Sequence, residues 1–149
     1  MKKTCLIILI IATLALSAMA QKIFIPMDLS QTNHLKAYGV VYSLLGDGMN
    51  IEWLLNYRGG SFLMPAEDIA ANLCRLRGVK FETIDGAVAA QIYAEIEEEN
   101  MEVVLLEKAP KIAIYTPHNT QPWDDAVTMA LTYAEVPYDK IWDLSLIHI

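Results

Sequence analysis

The chain predicts an α/β fold with a mostly parallel sheet flanked by helices, followed by the start of a second α/β unit that is truncated. Three observations carry this prediction. Short β-leaning apolar runs alternate with amphipathic stretches of helical period along most of the 149 residues. Glycines and prolines punctuate most changes of pattern. Two apolar runs near Pro110 are separated by Glu107-Lys108-Ala109-Pro110, too short a link to join parallel neighbours in one sheet.

Residues 1–20 read as a secretory signal peptide. Lys2 and Lys3 precede an apolar run from Cys5 to Leu16, and Ser17-Ala18-Met19-Ala20 supplies a small-residue cleavage site. The run is too short for a comfortable membrane span, and no comparable stretch follows it. Cleavage after Ala20 leaves Gln21 first, so the protein is expected to be exported, periplasmic or extracellular, without stable membrane insertion.

Residues 22–27 (KIFIPM) form a predicted strand. Asp28 to Gln31 offer capping side chains for a helix running to about Leu45, with Leu35, Tyr38, Val41 and Leu45 on one face. Gly46-Asp47-Gly48 stops it. Residues 49–57 give the second strand, and the Arg58-Gly59-Gly60-Ser61 loop follows, with an apolar patch (Phe62, Leu63, Met64) closing on Pro65. Pro65 opens a helix with Glu67 and Asp68 in its first turn, a buried stripe of Ile69, Leu73 and Leu76, and Gly78 as its stop. Residues 79–84 are the third strand. Asp85 caps a helix striped by Val88, Ile92 and Ile96, whose acidic end (Glu95, Glu97, Glu98, Glu99) opposes the helix dipole and favours fraying near Asn100. The cluster reads as a solvated helix end, with a cation site a distant second.

Residues 101–106 and 111–116 are the fourth and fifth strands, either an antiparallel pair or members of different sheets. A boundary near Pro110 is preferred, dividing the mature chain into residues 21–109 and 110–143. Pro122 opens the last helix, lined by Trp123, Val127, Ala130, Leu131 and Ala134, and residues 138–142 begin another strand.

The full chain carries eleven basic and eighteen acidic residues, net −7; losing Lys2 and Lys3 takes the mature form to −9. That balance argues against nucleic acid and anionic lipid as partners. Cys74 is the single mature cysteine, so no internal disulfide is expected and stability must come from a core.

A strand that empties into Arg58-Gly59-Gly60-Ser61 is one way to build an anion site. Glycines admit close backbone N–H groups, and the guanidinium adds a fork. The plainer reading, a tight turn with a solvated arginine, is preferred for a lone Gly-Gly. A third reading pairs Arg58 with a buried carboxylate such as Glu52 or Asp28, Glu52 being a charge in an otherwise apolar strand that needs a partner if buried. Polar loops at residues 28–34, 56–61 and 116–124 lie where strands end, the usual ligand side of an open α/β sheet. His118 and Asn119 follow a strand there and are candidate ligand contacts. His34, in a first helical turn, reads as a capping or surface histidine. Cys74, mid-helix, reads as a buried structural thiol. No metal-ligand spacing, dinucleotide fingerprint or complete phosphate loop occurs, so neither metal nor cofactor is expected.

Four segments, KIFIPMDLSQTNHLKAYG, EWLLNYRGGSFLMP, NMEVVLLEKAPKIAIYTP and QPWDDAVTMALTYAEVPYD, make the chain resemble exported bacterial proteins labelled asparagine synthetase B. From Lys111 it also resembles the opening of a class I glutamine amidotransferase-like domain. The resemblance implies an amidotransferase-like or amidase-like enzyme of which this is the N-terminal part. The labelled ATP-dependent chemistry does not fit the residues: glutamine-hydrolysing synthetases expose an N-terminal cysteine, whereas Lys2 follows Met1 and cleavage exposes Gln21. No catalytic residue is carried over. Residues 144–149 (LSLIHI) resemble a translated sequencing adaptor and are expected to be non-native. The alternative function is a noncatalytic binding or cell-envelope module for a small polar or anionic ligand.

Overall fold

The structure is a computed structural model that describes residues 21–117 and 119–142. The expected signal peptide, His118 and the expected non-native tail lie outside these residues. The elements run β1 (Lys22–Ile25), α1 (His34–Gly46), β2 (Ile51–Leu55), β3 (Ser61–Pro65), α2 (Asp68–Arg77), β4 (Glu82–Ile84), α3 (Gly86–Glu98), β5 (Glu102–Leu106), β6 (Ala113–Tyr115), α4 (Ala126–Ala134) and β7 (Asp139–Ile141). Short 3-10 turns occupy Tyr57–Gly59 and Pro122–Asp124.

The mostly parallel sheet expected from the alternation is not what forms. Strands β1 to β5 make one sheet of order β4-β1-β3-β2-β5, in which every hydrogen-bonded pair is antiparallel. The cause is a strand that the alternation skips. Ser61–Pro65, read as a loop end and a helix start, pairs with β2 as a hairpin and with β1 on its other side. A link as short as residues 56–60 permits only antiparallel neighbours. The first four strands and two helices thus read βαββαβ, with β3 lying between β1 and β2, the strand order of the ferredoxin-like split βαβ.

Period-2 geometry sends alternate side chains to opposite faces. On one face Ile23, Ile25, Ile51, Phe62 and Met64 pack under α1 and α2 through Val40, Leu44, Ala70 and Cys74. On the other, Phe24, Leu54 and Leu63 pack under α3 through Ala89, Ile92 and Ile96. Burial on both faces, and not parallel pairing, makes the central strands read as continuous apolar runs.

The helical stripes shift for the same reason. In α1 the predicted Val41 and Leu45 are buried, but Leu35 and Tyr38 are exposed, and Ala37, Val40 and Leu44 take their place. In α2 the predicted Ile69 and Leu76 are 51% and 84% exposed, while Ala70 and Cys74 face the sheet. In α3 Ile92 and Ile96 are buried as expected, with Ala89 in place of the exposed Val88. Of the α4 face, Ala134 is buried, while Trp123 and Val127 are exposed.

Capping follows local chemistry more closely. Asn33, beyond the expected group at residues 28–31, accepts from the Lys36 N–H. Asp85 accepts from Val88 N–H at 2.9 Å, as expected. Gly78 ends α2 in the left-handed region. The last helix starts later than expected: residues 122–124 form the 3-10 turn, and Asp125 caps α4 through Thr128 N–H.

Strands β5 and β6 belong to different sheets. Strands β6 and β7 pair in parallel, with α4 between them in sequence. The seam between this unit and the first is close. A Cβ built on Gly39 in α1 would fall 1.8 Å from the Ala134 carbonyl oxygen. Glu135, just beyond α4, reaches Lys36 at 2.6 Å and Arg77 at 2.8 Å. Asn33 donates to the Tyr133 hydroxyl at 2.6 Å.

Glycine inside a helix ordinarily costs about 1 kcal/mol against alanine, so Gly39→Ala would stabilise an unpacked α1. The contact with Ala134 reverses the sign. Gly39→Ala should lower the unfolding free energy by about 1–3 kcal/mol, the usual range for overpacking, as read from urea melts. A stabilised variant would show that the seam is open in solution.

Candidate functional site

The 56–60 turn is built to approach another backbone. Asn56, Arg58, Gly59 and Gly60 all have positive φ, between 45° and 86°. Gly59 has a specific reason to lack a side chain: its Cβ would lie 2.3 Å from the Met27 carbonyl oxygen. Met27 N–H donates to the Arg58 carbonyl at 3.2 Å, locking the turn to the end of β1. Inside the turn, Gly60 N–H donates to Tyr57 O at 3.1 Å, and the buried Ser61 hydroxyl contacts Tyr57 O and Arg58 O. Trp53 Nε1–H donates to Gly60 O at 3.1 Å.

The turn therefore spends its polar groups on holding its own shape. Gly59 makes the close backbone approach to Met27, and the Gly60 N–H and the Ser61 hydroxyl are engaged inside the turn. The Arg58 guanidinium turns toward Asp28, with Nε 2.6 Å from Oδ2, and Cζ lies 5.1 Å from the centre of the Phe24 ring. Hydrogen bonds from Ser30, then Arg58, hold the Asp28 carboxyl well below the usual carboxylate range. His34 Nε2 lies 3.1 Å from Met27 O and 3.2 Å from Asp28 O. Two carbonyl acceptors require the proton on that nitrogen, so His34 braces the same loop.

Beside this brace is a cleft of about 180 Å³ between the turn, β4 and α3. Phe24 lies at its base, with Tyr57 edge-on at 6.1 Å, and Arg58, Glu82, Gln91 and Glu95 contribute the polar lining. Burial pushes the Tyr57 hydroxyl pKa up; the Glu95 and Glu82 charges add to this and Arg58 opposes it, so Tyr57 presents a neutral hydroxyl. Glu82 lies 3.8 Å from Arg58 Nη1, while Glu95 makes no ion pair among the described residues. With Asp28 already committed to Arg58, the carboxylates outnumber the guanidinium around the cleft by two.

Of the candidate ligand contacts singled out from sequence, Arg58 alone among those described lines this cleft. Asn119 sits exposed in the turn after β6, and His118 lies outside the described residues. Tyr57, Glu82 and Gln91 carry no signal by residue type, and Glu95 reads from sequence as part of a solvated acidic helix end, with a cation site as the lesser alternative. The helical part had a signal: Val88, Gln91, Ile92 and Glu95 recur at three- and four-residue steps, which places them along one side of α3.

Glu52, a charge in an apolar strand, finds its partner across the sheet. Lys22 Nζ lies 2.9 Å from Glu52 Oε1 and 2.6 Å from the Tyr93 hydroxyl, and that hydroxyl also bonds Glu52. Burial acts to lower the Lys22 pKa, but bonds to Tyr93 and Glu52 outweigh it and the net shift is upward. Tyr93 is also raised, by burial first and then by Glu52. A charged ammonium and a protonated phenol suit a structural tie better than proton transfer. Cys74 is buried in α2, its thiol pushed up to about 11 by burial, which leaves the nucleophilic thiolate scarce at neutral pH. Among the described residues no group of three or more His, Cys, Asp or Glu side chains is arranged to hold a metal ion. No family model, curated protein or solved structure matches the chain.

The tie makes a pH prediction. Both Lys22 and Tyr93 bind their protons more tightly in the folded state, so their contribution is fully present below the unfolded values of 10.5 and 10.0. It is lost as pH rises through the higher folded values. Urea melts should therefore show this contribution intact up to about pH 10 and stability falling as pH rises further, with a shallower fall in Tyr93→Phe. Equal slopes for parent and variant would show that Tyr93 does not titrate as part of the tie.

Proposed function

We propose that the chain is an exported binding module, related to the proteins labelled asparagine synthetase B, that takes a small polar ligand in the cleft under α3. The carrying observation is the charge balance there. The arginine that favoured an anion from sequence is neutralised by Asp28, while Glu82 and Glu95 flank an aromatic base. Two carboxylates and a neutral phenol suit an alkylammonium or guanidinium group. At about 180 Å³ the cleft is matched to such a group and its first carbons, and is smaller than typical drug-sized sites.

A second reading has its own support. Strands β6 and β7, parallel and joined through α4, are compatible with the opening of an amidotransferase-like domain from residue 110. Both readings place the protein outside the cytoplasm on the strength of residues 2–20. Among the described residues, no helix is long and apolar enough to cross a membrane.

Expressed with its own leader in a Gram-negative host, the protein should be recovered from the periplasm with Gln21 at its N-terminus. Retention in the cytoplasm with Met1 intact would overturn export.

The ligand prediction uses calorimetric titration of the mature protein with butylguanidine, butylamine and acetate at low salt. The two cations should bind saturably and acetate should not. Glu95→Gln should weaken cation binding by about 1.5–3 kcal/mol, the worth of a charge-assisted hydrogen bond. Preferential acetate binding would restore the anion reading. Ammonia release from glutamine by the same preparation would favour the amidotransferase-like enzyme over the binding module.

A further inference from the structure

The cleft under α3 is bordered on one side by an edge of the sheet. Strand β4 ends the order β4-β1-β3-β2-β5: it pairs with β1 on one side and with no strand on the other among the described residues. The outer N–H and C=O groups of such a strand are a template for a further one. The register Phe24↔Glu82 and Lys22↔Ile84 puts Glu82 and Ile84 on the same face as Phe24, and both line the cleft. The site therefore joins a pocket for a cationic head to an unpaired stretch of backbone.

Reach narrows what could use both parts. At about 180 Å³ the cleft takes a charged head and its first carbons, so the rest of the ligand lies outside. A strand added to β4 would run two strand spacings, about 9–10 Å, from β1 and its Phe24. Only a long side chain crosses that span. Lysine and arginine carry their charge at the end of such a stem. A strand sends alternate side chains to one face, so one of them passes Glu82 into the cleft while its sequence neighbours point away.

Charge decides which strand is admitted. Glu82 and Glu95 are both exposed at this border, and Arg58, already 2.6 Å from Asp28, approaches only Glu82, at 3.8 Å. A short edge strand with a charge on it resists indiscriminate pairing. The same carboxylates favour a segment that is basic at the matching position and repel an acidic one. Resting on the cation reading of this cleft, we propose that its occupant is a lysine or arginine side chain of an extended peptide that adds to the free edge of β4. Main-chain bonds then supply affinity, and the cleft supplies selectivity. A free amine would fill the cleft and leave the edge unpaired.

The test is calorimetric titration of the mature chain, at low salt, with a blocked pentapeptide that has arginine at its centre, valine on each side and threonine at each end. Butylguanidine stands for the head alone, and the citrulline analogue keeps the peptide's shape without the charge. The arginine peptide should bind at least tenfold more tightly than either. Glu95→Gln should weaken the arginine peptide and butylguanidine by a similar factor, since both place their charge in the cleft. Methylating the arginine backbone nitrogen in one peptide, and the two valine nitrogens in another, should give unequal results. One should bind at least tenfold more weakly and the other close to the parent, because only alternate backbone groups of a strand face its neighbour. Butylguanidine binding as tightly as the peptide overturns strand addition and leaves the cation cleft standing. Failure of both to bind overturns the two readings together. Equal losses from the two methylated peptides, or undiminished binding of the citrulline analogue, also overturn the proposal.

Discussion

Phe62 and Met64 project to one side of β3 and Leu63 to the other, and all three are essentially sealed from solvent. A strand that is apolar on both faces is satisfied only in the interior of a sheet with helices above and below it. That requirement places β3 between β1 and β2, brings α1 and α2 to one face and leaves the other to α3. The hairpin into β3 then sets the position of the 56–60 turn, and with it Arg58. The cleft under α3 therefore descends from the seating of this one strand.

Local chemistry was readable from sequence wherever a residue acts on its neighbours. Asp85 and Gly78 end or begin helices where expected, because a capping side chain and a left-handed glycine operate within one turn. Strand direction was not readable in the same way. The run Phe62-Leu63-Met64 is bounded by Gly60 and Pro65, and its few residues read as a loop end. Omitting one strand converts βαββαβ into a simple alternation, and a simple alternation implies parallel pairing. The helical stripes slipped for a related reason: small residues such as Ala37, Ala70 and Ala89 allow helices to sit close to the sheet, while larger neighbours including Leu35, Ile69 and Val88 are left outside.

The site divides along the same line. Arg58 is visible by residue type and loop position, and Asp28, thirty positions earlier in the chain, is one of its two candidate carboxylate partners from sequence; the structure pairs it with Asp28 and not Glu52, in place of the solvated arginine preferred from sequence. Glu52 announced the need for a partner without naming Lys22 or Tyr93. Long-range pairing of charges depends on strand order, so an error in the sheet carries over into the electrostatics. Cys74 is the contrasting case, since its mid-helix place beside Leu73 already points to a buried thiol.

The Gly39–Ala134 contact has a consequence for the order in which the molecule is assembled. All the elements of the βαββαβ core are present in the nascent chain once Ile84 has been made. The outer side of α1 at Gly39 has no cover until Ala134 is added. Between those two moments the chain carries a groove shaped for a helix that does not yet exist. The side-chain-free position that permits tight docking at the end is therefore also the place where an early intermediate is most open to the wrong partner.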